Sequence, residues 1–332
     1  MPKRSIPSFS INADNRPFFL LVLYLVLVFL TGGGARADIQ SLIILRPISV
    51  IVCGFALWTI TRDQVKKYQL LFLSFAAVIA LVAIQLVPLP PALWSALPGR
   101  EIMVEVDKAA GLGPRWRPIS MVPSATWNGF YALFVPLAVL LLGAQLSREQ
   151  RFQLLPVLLA IGLLSGFLGL LQAIGDPQGG LYLYRVTNNG SAVGLFSNRN
   201  HQAVLLATMF PMLAAYASTG TGTEERAKFR RWIAIAVAAG LVPLLLVTGS
   251  RAGLLVGALG LAAAARLYSK PIATARQKRK TPKFDLRIPI AAFGALCLGA
   301  LSVVMSRAEA LQRLAAPDQV EEQRLHVWGP IA

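Results

Sequence analysis

The chain is 332 residues long, 55% hydrophobic and 14% charged, with a mean hydropathy of +0.60. Its apolar residues come in runs too long for a globular core to cover, which excludes a soluble domain and makes the chain an integral membrane protein. The formal charge of +17 does not mark a nucleic-acid binder: the basic residues lie between the apolar runs, on no amphipathic face and in no patch interleaved with aromatics.

Crossing ~30 Å of hydrocarbon takes about 20 apolar residues. Runs of that order at 17–35, 39–60, 68–90, 127–146, 152–174, 201–219, 232–249, 252–268 and 288–306 predict an all-α polytopic bundle of about nine transmembrane helices. The first run, "RPFFLLVLYLVLVFLTGGGARAD", has a basic start, an apolar stretch and an Ala35-x-Ala37 ending that resembles a signal-peptidase site. It reads as a retained helix, and cleavage before Asp38 would leave the later spans in the same orientation.

Alternate gaps between spans are basic: Lys3, Arg4 and Arg16; Arg62, Lys66 and Lys67; Arg148 and Arg151; Arg226, Lys228, Arg230 and Arg231; and the run from Arg266 to Arg287. Lys and Arg are retained on the cytoplasmic side, so the N-terminus and these gaps are expected there. The gaps near 91–126, 175–200 and 250, and everything from 307 onward, then face outward. The last basic run suits contact with anionic lipid heads. Gly162/Gly166 and Gly253/Gly257 have the spacing of close helix packing in lipid. Cys53 and Cys297 fall in predicted spans without metal-ligand spacing, and no HExxH, Walker, GxGxxG or CxxC signature is present, so no metal and no cofactor is expected.

Several outward cations break the orientation pattern. In "GLFSNRNHQAVLLATMFP", Ser197 or Asn198 can cap the sixth span, whose exposed N–H groups would attract an anion, and Arg199 adds a full charge. Arg185 in "LYLYRVTNNGSAVG", Arg251 in the short "VTGSRAGLLV" turn and Arg46 in "IILRPISV" are expected near the same level. An outward Arg opposes the topological bias, and one near hydrocarbon costs a few kcal/mol unless it pairs or reaches the interface. Guanidinium forks hold phosphate oxygens and stay charged, so a lipid-linked diphosphate suits Arg46, Arg185, Arg199 and Arg251 with Asn198 and Asn200. Snorkelling to lipid phosphates or pairing with a nearby acid is the alternative for each.

These segments, followed by "RLHVW" and accompanied by "QLVPLPPALWSALPGR" and "WRPISMVPSATWNG", resemble the O-antigen ligase and O-antigen polymerase related family of bacterial polysaccharide enzymes. The resemblance implies a metal-independent inverting glycosyltransferase in the bacterial inner membrane, GT-C-like in fold, with its active face periplasmic. It implies an undecaprenyl-diphosphate-linked glycan as donor and lipid A core, a nascent glycan or another hydroxyl as acceptor; ligase and polymerase differ in that acceptor. Carried onto this sequence, it assigns the family's Asn positions to Asn198 and Asn200. Arg251 becomes its key outward Arg and Arg324 the Arg of its large periplasmic loop, the two offsetting charge on the departing diphosphate.

The resemblance also implies that residues 307–332 open that large loop and that the chain is the N-terminal part of a longer enzyme whose base lies beyond. His201 departs from the family pattern and reads as a helix-start residue satisfied by a neighbour; His326 is a weak candidate for the base. Glu321, Glu322 and Asp318 read as solvated helix, and Trp94, Trp116, Trp127 and Trp328 as interface anchors rather than sugar platforms. A lipid-glycan flippase or transporter would place ionisable residues near mid-membrane, and the span centres carry none. A non-catalytic assembly partner is the third reading.

Overall fold

A computed structural model of the chain describes residues 15–32, 40–219 and 224–268. The described residues are mostly helical, with one two-stranded pair, and divide into two compact units, 1–147 and 148–332. The expected span at 288–306 lies outside the described residues, as do Arg324, His326, Trp328, Asp318, Glu321 and Glu322. Among the described residues four helices are long and apolar enough to cross a membrane, Leu42–Thr59, Pro123–Gln145, Arg148–Ile174 and Glu224–Val247, and they mark the chain as a membrane protein.

The first unit begins with α1 (Arg16–Leu30), which carries Pro17 in its first turn and stops where Gly32 takes φ +76°. It ends short of the expected residue 35. After it come α2 (Leu42–Thr59), α3 (Arg62–Lys67), opened by a Thr61/Gln64 capping box, and α4 (Gln69–Gln85). The expected run to residue 90 is broken after Gln85, because Pro88 and Pro90 lack the N–H a helix needs. Pro88–Leu89 instead forms β1, and α5 (Pro91–Ser95), α6 (Glu101–Ala109) and β2 (Arg117–Pro118) complete the loop. The strands pair antiparallel, Pro88 opposite Pro118 and Leu89 opposite Arg117. The expected 127–146 span is two stacked pieces, α7 (Pro123–Ala132) and α8 (Phe134–Gln145), interrupted where Pro136 withholds the donor for Ala132.

Helix α8 packs on α1 and α2 around Leu21, Leu45, Ala56, Ala138 and Leu142, all nearly solvent-free. The polar groups inside this apolar bundle pair with one another. Ser49 Oγ donates to Leu45 O at 2.6 Å, so Tyr24 Oη donates to Ser49 Oγ at 2.7 Å. Gln145 Nε2 donates to Ala56 O at 3.0 Å, and Thr59 Oγ1 donates to Gln145 Oε1 at 2.9 Å, closing the ends of α2 and α8 together. Such bonds are worth roughly 0.6 kcal/mol each between helices in lipid.

The second unit is built around α10 (Arg199–Ala217), which packs against α9 (Arg148–Ile174), α11 (Glu224–Val247) and α12 (Arg251–Leu267). It buries one broad face, running from Gln202, Ala203, Leu206 and Ala207 through Phe210 and Leu213 to Ala217, while Asn200 and His201 of its polar first turn stay exposed at the end of the bundle. Glycine sets the distance of approach. A Cβ on Gly253 would begin 2.4 Å from Ala203 Cβ, one on Gly260 2.5 Å from Ala207 O, and one on Gly162 2.5 Å from Met209 Sδ. The small-residue spacings at Gly162/Gly166 and Gly253/Gly257 are therefore packing contacts, Gly166 facing Leu206 and Leu244 and Gly257 facing Leu245.

Gly260→Ala should destabilise the chain, because the backbone oxygen of Ala207 cannot swing aside as a side chain would; overpacking of this kind costs typically 1–3 kcal/mol. Gly143→Ala, where nothing lies within 4 Å, should be neutral or slightly stabilising through helix propensity. Thermal unfolding of the two detergent-solubilised variants measures the difference.

Candidate functional site

The site candidates of the second unit are held by a loop, residues 175–198, that returns from the end of α9 to the start of α10. Gln172, 1% exposed near the end of α9, uses its whole amide on this loop. Nε2 donates to Leu181 O at 2.9 Å and Gly194 O at 3.0 Å, and Oε1 accepts from Val193 N at 3.1 Å and Gly194 N at 2.7 Å. Tyr182 Oη donates to Gln172 O, and Tyr184 Oη to Leu195 O, each at 3.0 Å. Burial pushes the Tyr184 phenol above its ordinary pKa, so it stays a neutral donor. Gly194 takes φ +58°, and a side chain there would collide with Gln202 Oε1 and Ser165 Oγ, so only glycine serves on both counts. Ser165 Oγ accepts from Leu195 N at 3.0 Å and donates to Gln202 Oε1 at 2.6 Å. Gln202 Nε2, fully buried, has no hydrogen-bond partner among the described residues.

Asn198 caps α10, its side chain accepting from Asn200 N at 2.8 Å. The remaining first-turn donors are also engaged: Arg199 N donates to Asn188 Oδ1 at 3.1 Å, and His201 N and Gln202 N to Asn198 O at 3.1 and 3.2 Å. The expectation of exposed N–H groups at this terminus is corrected. Every donor of the first turn is taken within the protein, and what it offers an anion is the helix dipole and its side chains. His201 is exposed and meets the Phe196 ring edge-on, as a helix-start residue.

Helix α12 begins beside it. Ser250 is its cap, Oγ accepting from Gly253 N at 2.9 Å and donating to Asn200 Oδ1 at 2.7 Å. This one bond ties the two helix starts together. Gly249, at φ +61°, makes the turn out of α11, and a side chain on it would begin 3.9 Å from Arg199 Nη1, so the Arg199 guanidinium reaches the same turn. Arg251 is the first residue of α12 and exposed. Asn198, Arg199, Asn200 and Arg251 are thus assembled at one end of the unit. Arg185 is exposed on the loop, and no carboxylate pairs with Arg185 or Arg199 among the described residues.

Arg46 belongs to the first unit and has its own partners. Its Nη2 donates to Asn128 Oδ1, and the guanidinium lies over the Tyr131 ring, 5.9 Å from the centroid. Trp94 is corrected from interface anchor to loop core. It is 5% exposed, donates from Nε1 to Pro118 O at 3.0 Å, and is flanked by Arg100 and Arg117, each 5.3 Å from its ring. Trp116 and Trp127 are exposed, Trp127 stacking on Tyr131. Among the described residues no group of His, Cys, Asp or Glu is placed to hold a metal ion.

The sequence reading passed over Gln172, Ser165, Gln202 and Asn188. The signal was present in two of them: a glutamine in an apolar helix must find partners inside the protein. No protein-family model matches the chain, and neither a curated protein nor a solved structure does.

Ser250→Ala removes both the α12 cap and the partner of Asn200. It should cost about 1–2 kcal/mol, and Asn200→Ala less. In a double-mutant cycle the double variant should be less destabilised than the sum, because both substitutions break the same bond. Additive losses in unfolding experiments would show that the two helix starts are independent.

Proposed function

We propose that the chain is a multi-pass glycosyltransferase of the bacterial inner membrane that handles an undecaprenyl-diphosphate-linked glycan at the periplasmic face and transfers it to an acceptor hydroxyl, in the manner of an O-antigen ligase. The observation that carries the reading is the pairing of the α10 and α12 N-termini through Asn200 and Ser250, with Arg199 and Arg251 at that pair. Two helix dipoles point their positive ends at one place, and two permanent cations stand there, which suits a diphosphate. Arg185 on the adjoining loop and Arg324 would add further charge; Arg46 belongs to the first unit, where Asn128 holds it.

In this mechanism the leaving diphosphate needs no proton if its growing charge is offset by arginine. Arg251 and Arg324 take that role, Arg199 and Arg185 hold the ground-state diphosphate, and Asn198 and Asn200 set the geometry of the helix start. The acceptor hydroxyl gives its proton to a general base and attacks from the opposite face of the sugar as the bond from the anomeric carbon to the diphosphate oxygen breaks, which inverts the anomeric centre and releases undecaprenyl diphosphate. About nine spans, with the N-terminus in the cytoplasm, place the 91–126 and 175–200 segments outside, as the alternate basic gaps require.

Arg251→Ala should abolish glycan transfer by membranes containing the protein at matched expression, a loss of about 10²–10³ in rate. Arg251→Lys should recover little of it, because an ammonium lacks the bidentate fork. Normal transfer in the alanine variant would overturn the role. Topology is tested separately with single cysteines and an impermeant thiol reagent on intact spheroplasts: a cysteine at position 189 should label and one at 278 should not.

A further inference from the structure

The loop between α4 and α7, residues 86–122, exposes more apolar surface than an aqueous loop keeps. Leu93, Ile102, Val106, Trp116, Met121 and Val122 are all exposed, Ile102 at 73% and Trp116 at 65%. This exposure does not come from looseness. The loop has its own core, in which Trp94 is enclosed between Arg100 and Arg117, Arg100 donates to Ile119 O, and Arg117 pairs with Asp107 at 2.5 Å. The apolar side chains are therefore held outward on a fixed frame.

Helix α6 has three sectors at 100° per residue. Met103, Val104 and Asp107 are half-buried toward the loop, Glu101, Glu105 and Lys108 form an exposed polar flank, and Ile102 and Val106, one turn apart, form an exposed apolar flank. The frame also fixes its height. Asp107 is bonded to Arg117, Arg117 is paired with Leu89, and Ser120 N donates to Gln85 O at 3.0 Å, at the end of α4. β2 ends five residues before Pro123, the first residue of a helix long and apolar enough to cross a membrane. A helix tethered so near the end of a span lies at the level of the headgroup layer, where an apolar flank beside a polar one is the pattern of an interfacial helix.

We infer that α6 and the adjoining Leu93, Trp116, Met121 and Val122 form a membrane-surface element that seats its apolar flank at the boundary between phospholipid headgroups and acyl chains. It covers the membrane next to α4 and α7 with a rigid, lipid-contacting cap. The inference rests on the membrane-spanning reading of the chain and not on its enzymatic chemistry.

The test uses the full chain with Cys53→Ala and Cys297→Ala, carrying a single NBD-labelled cysteine at Ile102, at Glu105 or at Ile51, an exposed position of Leu42–Thr59. The proteins are reconstituted into phosphatidylethanolamine and phosphatidylglycerol vesicles whose acyl chains are brominated near the glycerol end. The probe at Ile102→Cys should be blue-shifted and quenched several-fold more by brominated lipid than by aqueous iodide, with the order reversed at Glu105→Cys. Val106→Cys replaces Ile102→Cys if that variant does not fold. Equal or greater iodide quenching at Ile102, or protection from both quenchers because protein covers it, overturns the inference. A probe at Ile51→Cys that also reports water would instead overturn the membrane-spanning reading beneath it.

Discussion

The second unit depends on how closely α12 approaches α10. Ala203 and the carbonyl of Ala207 occupy the space that side chains at Gly253 and Gly260 would need, so the two backbones meet at a distance that only glycine permits. That contact brings Ser250 within a hydrogen bond of Asn200 and sets two helix starts side by side. In lipid the hydrophobic effect gives helices no reason to associate with each other rather than with acyl chains, so packing at this range and internal hydrogen bonds do the holding. The same requirement explains why Gln172 and Ser165 are spent on the backbone of the returning loop while Gln202 Oε1 accepts from Ser165, and why in the first unit Tyr24 bonds Ser49 and Gln145 bonds the carbonyl of Ala56.

Much of the helical layout was legible in the sequence because crossing hydrocarbon demands long apolar runs, and "LIILRPISVIVCGFALWT" or "LLPVLLAIGLLSGFLGLLQAI" can be little else. Boundaries were less legible. α4 stops at Gln85 although the apolar residues continue to Leu89, since prolines at 88 and 90 end the helix without ending the hydrophobicity. α9 and α10 each begin before their apolar runs, as polar first turns are still helical.

Of the site, sequence could pick out Asn198, Arg199, Asn200 and Arg251 because charge and amide groups stand out at the mouths of apolar helices. It could not show that Ser250 bridges two of those helices, a relation between residues fifty positions apart that only packing creates. Nor could it tell that Arg46 is held by Asn128 while Arg199 has no acidic partner among the described residues. Both read alike as outward arginines, and the difference lies in which neighbours the fold supplies. Trp94 teaches the same point: an aromatic in an outer loop suggested a lipid anchor, and it is the interior of a small folded cap.

The sealed start of α10 has an evolutionary corollary. Asn188 and Asn198 satisfy its terminal backbone donors whatever stands nearby, so the helix does not rely on a bound anion for its integrity. The arginines attached to that frame are then free to be exchanged, repositioned or lost without unravelling it. Substitution at those arginines then alters the charge presented at this terminus while the capped helix start stays as it is.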